Sequence, residues 1–368
     1  MHAERGGVRP RRRRELRVHR VRGRPVHGHA EVDLRGRRYA ALPRDRAEPR
    51  PGVQDGRAHL HVRRLVHVDL HEAQVRGRRL ARRAGPLPAV ITGARDILPG
   101  VAAWSARTPT LPPATHTNSY ALGGRDVLLV EPATPYDDER AAWLAWARGL
   151  ASAGRRLVAI FATHHHPDHV GGAAFFSDAL GVPLWAHRET ARRIDGRVSR
   201  ELDDGDVLEL AGPTPQRWEV AHTPGHAPGH LCLRERALGV LVVGDMVASE
   251  GTILIARGDG DMARYLIELA RLSSWRATLA LPAHGAPIAE PSRTFDRYVA
   301  HRLMREAKVA AALLARPLSS VAELLPHAYD DTPAAAWPLA ELSLEAHLDK
   351  LAAEGRAVER DGRWEARA

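Results

Sequence analysis

From about residue 126 onward, short apolar runs rich in Val, Leu and Ile alternate with segments of helical period. The runs "DVLLVE" (126–131), "RLVAIFA" (156–162), "VPLWAH", "DVLELA", "RWEVAH", "LCLRER", "GVLVVGD" and "ATLALPAH" are each bounded by turn-forming residues, as buried strands are. Between the first two, "DDERAAWLAWARGLASAG" (137–154) opens on three acidic residues and closes on Gly154, the signature of a helix with complemented ends. Further helices are predicted at "GGAAFFSDAL" and "DMARYLIELARLSS". Strands and helices alternate irregularly, and several strands read as sequential antiparallel neighbours. Two sheets covered by helices satisfy that pattern most economically. From Arg297 the pattern changes to three helices, "RYVAHRLMREAKVAAALLA", "SSVAELLPHAY" and "AAAWPLAELSLEAHLDKLAAEG", with Gly355 as the last C-cap. The chain then runs into "AVERDGRWEA", a hairpin turning on Asp361-Gly362. Three helices and a hairpin make a winged helix.

Length and charge refine this picture. At 368 residues the chain accommodates one large domain and a small one, or two of medium size. Its net charge of +10 suggests an anionic partner, but the charge is unevenly placed. Residues 1–89 hold 24 Arg, no Lys and 9 acidic residues, so the remainder is mildly acidic. That arm mixes Arg, Gly, Pro and His without sustained period, so by composition it either lacks fixed structure or is a spurious extension of the reading frame. Its Glu4, Glu15, Glu31 and Asp33 argue against a transit peptide, and no apolar stretch suits a signal peptide or a membrane span. A cytoplasmic protein is expected, divided into the arm (1–89), a catalytic domain (90–295) and a winged helix (296–368). Cys232 is the single cysteine, so neither an internal disulfide nor a multi-cysteine zinc site is available. Any metal falls to histidine and carboxylate.

Such ligands are concentrated in "ATHHHPDHVGG", directly after a predicted strand. It parses as His-x-His-x-Asp-His: His164, His166, Asp168 and His169. By alternation His164 and His166 point one way, while Asp168 and His169 turn toward a second position. More ligands follow later strands: His226 in "AHTPGHAPGH", Asp245 closing "LVVGD", and His284 in "LALPAHG". A two-metal site needs about three donors per ion and a bridge. Seven residues fill it, with His164, His166 and His226 for one ion, Asp168, His169 and His284 for the other, and Asp245 between them.

These strings resemble the motifs of the metallo-β-lactamase superfamily of metallohydrolases, over roughly 90–295. The resemblance implies an α+β fold, a four-layer αββα sandwich with the metal site on one edge, and a small C-terminal winged-helix domain. It also implies two zinc ions per chain, although iron or manganese suits the same ligands. True β-lactamases of this superfamily do not as a rule place an aspartate where Asp245 stands, which disfavours antibiotic hydrolysis. Glyoxalase II enzymes share the seven ligands but end in a basic helical domain unlike this tail. "GDMVASEGT", "PAHGAPI", "YVAHRLMRE", "THTNSYAL" and the winged helix look closest to the lactamase-β-like 2 group, single-strand endoribonucleases of animal mitochondria and their bacterial relatives. Glu131 departs from the aspartate the superfamily generally carries at that strand end.

The expected chemistry is hydrolysis by a hydroxide shared between two ions, with Asp168 a candidate proton donor to the leaving group. Other polar residues read as structural: His165 by alternation, His222 at a strand end, Asn118, Tyr120, and His116, His187, His301, His327 and His347. His230 could equally support a ligand or touch substrate. Cys232 reads as core, as do Trp143 and Trp146 at helical spacing. The candidate substrates are a small ester, thioester or lactone and, alternatively, single-stranded RNA. A second copy of the chain is a candidate partner, a membrane is not. Between Leu318 and Gly355 the only Lys or Arg is Lys350, set among seven acidic residues, so the winged helix is poorly charged for phosphate and better suited to a lid or dimer contact. A nucleic-acid-binding role through the basic arm is the contrasting hypothesis. Deleting residues 1–89 is expected to leave kcat/KM for hydrolysis unchanged against the full chain, and loss of activity would instead place function in the arm.

Overall fold

The computed structural model describes residues 93–194 and 197–367, so the expectation for residues 1–89 lies outside the described residues. Seven strands form the first sheet in sequence order: β1 (Arg95–Leu98), β2 (Val101–Arg107), β3 (His116–Leu122), β4 (Asp126–Val130), β5 (Arg156–Phe161), β6 (Leu184–Ala186) and β7 (Val198–Glu201). The pairs from β1 to β4 are antiparallel and those from β4 to β7 parallel. Each parallel step requires a crossover, supplied by α1 (Asp137–Ser152), then α2 (Pro167–Val170) with α3 (Ala173–Leu180), then α4 (Arg188–Ala191). The second sheet runs β12-β11-β10-β9-β8, built from β8 (Val207–Leu210), β9 (Gln216–His222), β10 (Leu231–Glu235), β11 (Val240–Gly244) and β12 (Leu279–Pro282). Only β11 and β12 are parallel in it, joined through α5 (Met262–Ser274).

The period-2 alternation within each strand produces the layers. Leu128 and Val130 face the other sheet while Val127 and Leu129 face α1 and α3. In the second sheet Val240 and Val242 point inward and Leu241 and Val243 point at α5. Three apolar cores therefore separate four layers, helix, sheet, sheet and helix. Trp143 and Trp146 belong to the outer core, where the Trp143 ring lies 3.9 Å from Phe176 and its Nε1 donates to Ser119 Oγ at 2.7 Å.

The C-terminal part consists of α6 (Pro291–Ala315), α7 (Val321–Ala328), α8 (Trp337–Ala353) and the hairpin β13 (Ala357–Arg360) and β14 (Arg363–Ala366). Ser320 and Glu323 cap α7 reciprocally. Asp361 (φ 51°) and Gly362 (φ 74°) both take left-handed backbone, the two-residue turn that suits a twisted hairpin. α6 begins at Pro291, earlier than its apolar period suggests, because proline sits well at a helix start. Phe295 packs in the core beneath α5 while Val309, Ala312 and Leu313 pack in the winged-helix core. One helix is thus shared by both bodies. β1, β2, β7 and α4 carry no clear signal in the sequence; β2 is alanine-rich and its strand character comes from its neighbours. No helix among the described residues is long and apolar enough to cross a membrane.

Buried basic groups lie where the two bodies meet. Arg302, Arg305 and Lys350 are almost inaccessible, and His347 among them is fully buried with neither ring nitrogen hydrogen-bonded. Burial, aided by Arg302 and Lys350, pushes the His347 imidazole down to about 3. Because its folded value is depressed, the unfolded chain binds the extra proton, so stability is complete above the ordinary histidine range and is lost as pH falls toward 3. Wild type is expected to lose about 1.4 kcal/mol per pH unit more than His347→Leu between roughly pH 6 and pH 3. Denaturant titrations of both proteins across that range check this, and parallel stability curves would remove the assignment.

Candidate metal centre

All seven candidate ligands emerge just past strand ends on one edge of the sandwich. His164, His166, Asp168 and His169 follow β5, His226 follows β9, Asp245 follows β11, and His284 follows β12. Pro167 starts the short α2, so Asp168 and His169 are carried on a helical turn while His164 and His166 lie in the preceding loop. Two glycines permit the close approach. A Cβ on Gly225, before His226, would stand 2.4 Å from Tyr265 backbone, and one on Gly244, before Asp245, 2.6 Å from His230 Nε2. Both also have positive φ.

The seven side chains converge in two groups. In the first, His164 Nε2 and His166 Nδ1 are 2.9 Å apart, His226 Nε2 and His166 Nδ1 2.9 Å, and His226 Nε2 and His164 Nε2 3.2 Å. In the second, Asp168 Oδ2 lies 3.6 Å from His169 Nε2 and 3.5 Å from His284 Nε2. Asp245 stands between the groups, with Oδ2 3.5 Å from both His226 Nε2 and His169 Nε2, and Oδ1 3.3 Å from His284 Nε2. Donors around a tetrahedral zinc are roughly 3.3 Å apart.

The outer face of each ring decides what the inner face offers. His226 Nδ1 donates to Leu254 O (2.9 Å), His284 Nδ1 to His116 O (3.0 Å), His169 Nδ1 to Glu131 Oε1 (3.2 Å) and His166 Nε2 to Asp259 Oδ2 (2.7 Å). Carbonyls and carboxylates only accept, so these outer nitrogens carry the hydrogens. Thr163 Oγ1 gives its hydrogen to Glu131 and accepts from His164 Nδ1 at 2.9 Å. The three inner nitrogens of the first group therefore aim lone pairs at a common centre. Three nitrogens without hydrogens cannot bond one another at such distances; a cation satisfies them. His169 Nε2 and Asp245 Oδ1 are likewise buried without a hydrogen-bond partner. The donor set fits metal ions.

Electrostatics separates the groups. Burial pushes His164 well below its ordinary value and His226 down to about 4, so both rings are neutral. Burial opposes charge on His169 too, but Asp168, Asp245 and Glu131 raise it well above the ordinary value. Asp245 is held far below the carboxylate range by His284 and His169 despite its burial. Glu131, at a left-handed φ of 59°, positions His169 directly and His164 through Thr163, one histidine of each group.

Other residues fall outside the cluster. His230 accepts from the Asp245 backbone N–H at 3.1 Å and so fixes the aspartate without facing the cavity. Asn118 and Tyr120 bond Pro282 O at 3.1 and 2.6 Å, tethering the turn that carries His284. His222 stacks on His187, 4.1 Å between centroids. His165 lies 3.4 Å from Asp259, a partner the sequence did not suggest. Asp259 itself escaped the sequence reading, since it sits in a turn 93 residues from the histidine it bonds. Its acidic residue between two glycines, Gly258 and Gly260, is the one local signal.

The cluster opens into a cavity of about 300 Å³ lined by the 109–114 and 250–259 loops. A mixed two-sheet sandwich whose strand ends gather histidine and aspartate is the layout of a metallohydrolase. The sequence profile of the Metallo-beta-lactamase superfamily matches residues 112–292, and that of the Beta-lactamase associated winged helix domain matches 320–364. The chain belongs to the metallo-β-lactamase superfamily of hydrolases. It is 27% identical over 255 residues to the Beta-lactamase-like protein 2 homolog of Drosophila melanogaster, covering 65% of this chain and 83% of that one. It is 28% identical over 201 residues to the atrochrysone carboxyl ACP thioesterase of Aspergillus chevalieri, covering 54% and 60% respectively. A metallo-beta-lactamase family protein from Thermus thermophilus superposes with a TM-score of 0.62 at 26% identity, covering 74% of this chain and all of that one.

Asp245→Ala is expected to lower bound metal and activity together, as elemental analysis and initial rates on the same preparation will show. Full activity with undiminished metal would remove the bridging role.

Proposed function

We propose that the chain is a dinuclear zinc hydrolase whose substrate is a small, uncharged ester, thioester or lactone. The observation that carries the metal reading is the outer hydrogen bond on each of the five histidines. His164, His166 and His226 would hold one ion, Asp168, His169 and His284 the other, with Asp245 shared. When bound, such a pair supplies hydroxide at neutral pH and a Lewis acid for the acyl oxygen. The chain's own residues do the rest. Asp168 lines the cavity and is placed to pass a proton to the leaving group. Among the described residues no Ser or Cys lines the cavity, and burial pushes Cys232 up to about 12, so they offer no thiol or serine hydroxyl for a covalent step.

The cavity walls support the acyl substrate. Leu111, Ala114, Ile253 and Leu254 give an apolar surface, Glu250 and Asp259 are acidic, and among the described residues no Arg or Lys lines it. A phosphodiester strand would meet repulsion where it needs cations. On the winged helix, Lys350 is buried between Glu306 (2.7 Å) and Glu354 (2.6 Å), while Arg356 pairs with Glu306 and Arg363 with Glu323. The similarity to a protein named as an acyl-carrier thioesterase is consistent with thioester chemistry.

Zinc-loaded full-length protein should be given single-stranded RNA and a panel of neutral and anionic acyl esters and thioesters side by side, with Asp168→Ala as the blank. Neutral acyl substrates are expected to turn over at least about a hundredfold faster than with the blank, anionic ones poorly, and RNA not at all. RNA cleavage lost in Asp168→Ala, with no ester turnover, would overturn the substrate assignment.

A further inference from the structure

We propose that the winged helix fixes the geometry of the first ligand group through the loop 253–260, with Asp259 as positioning residue for His166 and Arg257 as the anchor that holds Asp259 in place. The inference rests on the metal-centre reading. It assigns the C-terminal domain a role at the reaction site without contact to substrate.

The loop has no helix or strand of its own, yet two of the three histidines in the first group depend on it. His166 Nε2 donates to Asp259 Oδ2 (2.7 Å) and His226 Nδ1 donates to Leu254 O (2.9 Å). The remaining outer acceptors come from the sandwich: Glu131 past β4, Thr163 past β5, and the backbone of His116 in β3. A loop that aims ligands must itself be held, and its fastenings come largely from the C-terminal body. Arg257 Nη2 reaches Asp349 on α8 (3.0 Å) and Glu359 on β13 (2.9 Å), with its guanidinium 5.6 Å from the Trp364 ring on β14. Buried Arg302, on α6, donates to Ile253 O and also to Ser343 Oγ on α8 at 3.4 Å. On the sandwich side the Asp261 N–H donates to Gly225 O at 2.8 Å, next to His226.

Arg257 therefore touches all three distal elements of the winged helix, and Asp259, two residues on, touches a ligand. A ring held by a carboxylate keeps its donor nitrogen aimed and more basic, and loss of such partners typically costs about 10–100-fold in metal affinity. Asp259 also meets His165 Nε2 with its other oxygen at 3.4 Å, a second contact on the same carboxylate.

The test is zinc affinity by chelator competition on the full chain, with the absorption spectrum of the cobalt-substituted protein as a second readout and the unfolding temperature as a check on folding. Asp259→Ala is expected to weaken one of two ions about 10–100-fold and to change the cobalt spectrum, with the other ion unaffected. Asp259→Asn, which keeps an acceptor oxygen, should recover most of that loss. Arg257→Ala should weaken the same ion about two- to fivefold, and the double variant should bind no more weakly than Asp259→Ala alone. Unchanged affinities in folded Asp259→Ala, or a full additive loss in the double variant, would overturn the inference while leaving the metal centre in place. A wild-type chain that takes up no zinc would instead overturn the metal-centre reading, and this inference with it.

Discussion

Five hydrogen bonds that point away from the cavity determine what can happen inside it. An imidazole offers one lone pair only when its other nitrogen carries the hydrogen, and each of His164, His166, His169, His226 and His284 has an acceptor on its outer face. With those bonds in place, the inner nitrogens of His164, His166 and His226 crowd a volume where no mutual hydrogen bonding can satisfy them, while His169 and His284 face the Asp168 and Asp245 carboxylates. A bound cation would relieve that crowding, and metal binding to such a site would stabilise the fold.

The αββα sandwich offsets that crowding. Three apolar cores rigidify the strands whose ends carry the ligands, and the local strain is concentrated at a few positions: Glu131 in left-handed backbone, and Gly225 and Gly244 where no side chain fits. Glu131 acts on both ligand groups at once. A single buried carboxylate, satisfied by Thr163 and His169, orients one histidine of each group.

The winged helix departs from what its shape suggests. In a nucleic-acid reader the third helix presents cations to phosphate, but here the one lysine of α8 is buried against two glutamates and the flanking Arg356 is engaged by the same two. Its polar interactions turn inward, onto α6 and the loop beside the metal centre. The same loop walls the cavity, so a body distant from the reacting atoms bears on both ligand orientation and pocket shape.

The convergence of the seven candidate ligands was legible because each follows an apolar strand, and strand ends in a layered α/β protein collect at one edge whatever the details of topology. The helices of the winged domain and its Asp361-Gly362 turn were legible for the same reason, that local period and turn chemistry are written in neighbouring residues. β1, β2 and β7 were not, because alanine-rich or short segments become strands only when a neighbour supplies hydrogen bonds. Nor could the sequence reveal Asp259 or the Leu254 carbonyl, whose partners lie 93 and 28 residues away in the chain, or choose which role His230 takes. Ligand identity is a property of residue type and spacing, which the chain carries by itself. Ligand orientation is a property of which oxygen happens to stand behind each ring, and only the packed tertiary structure brings that oxygen there.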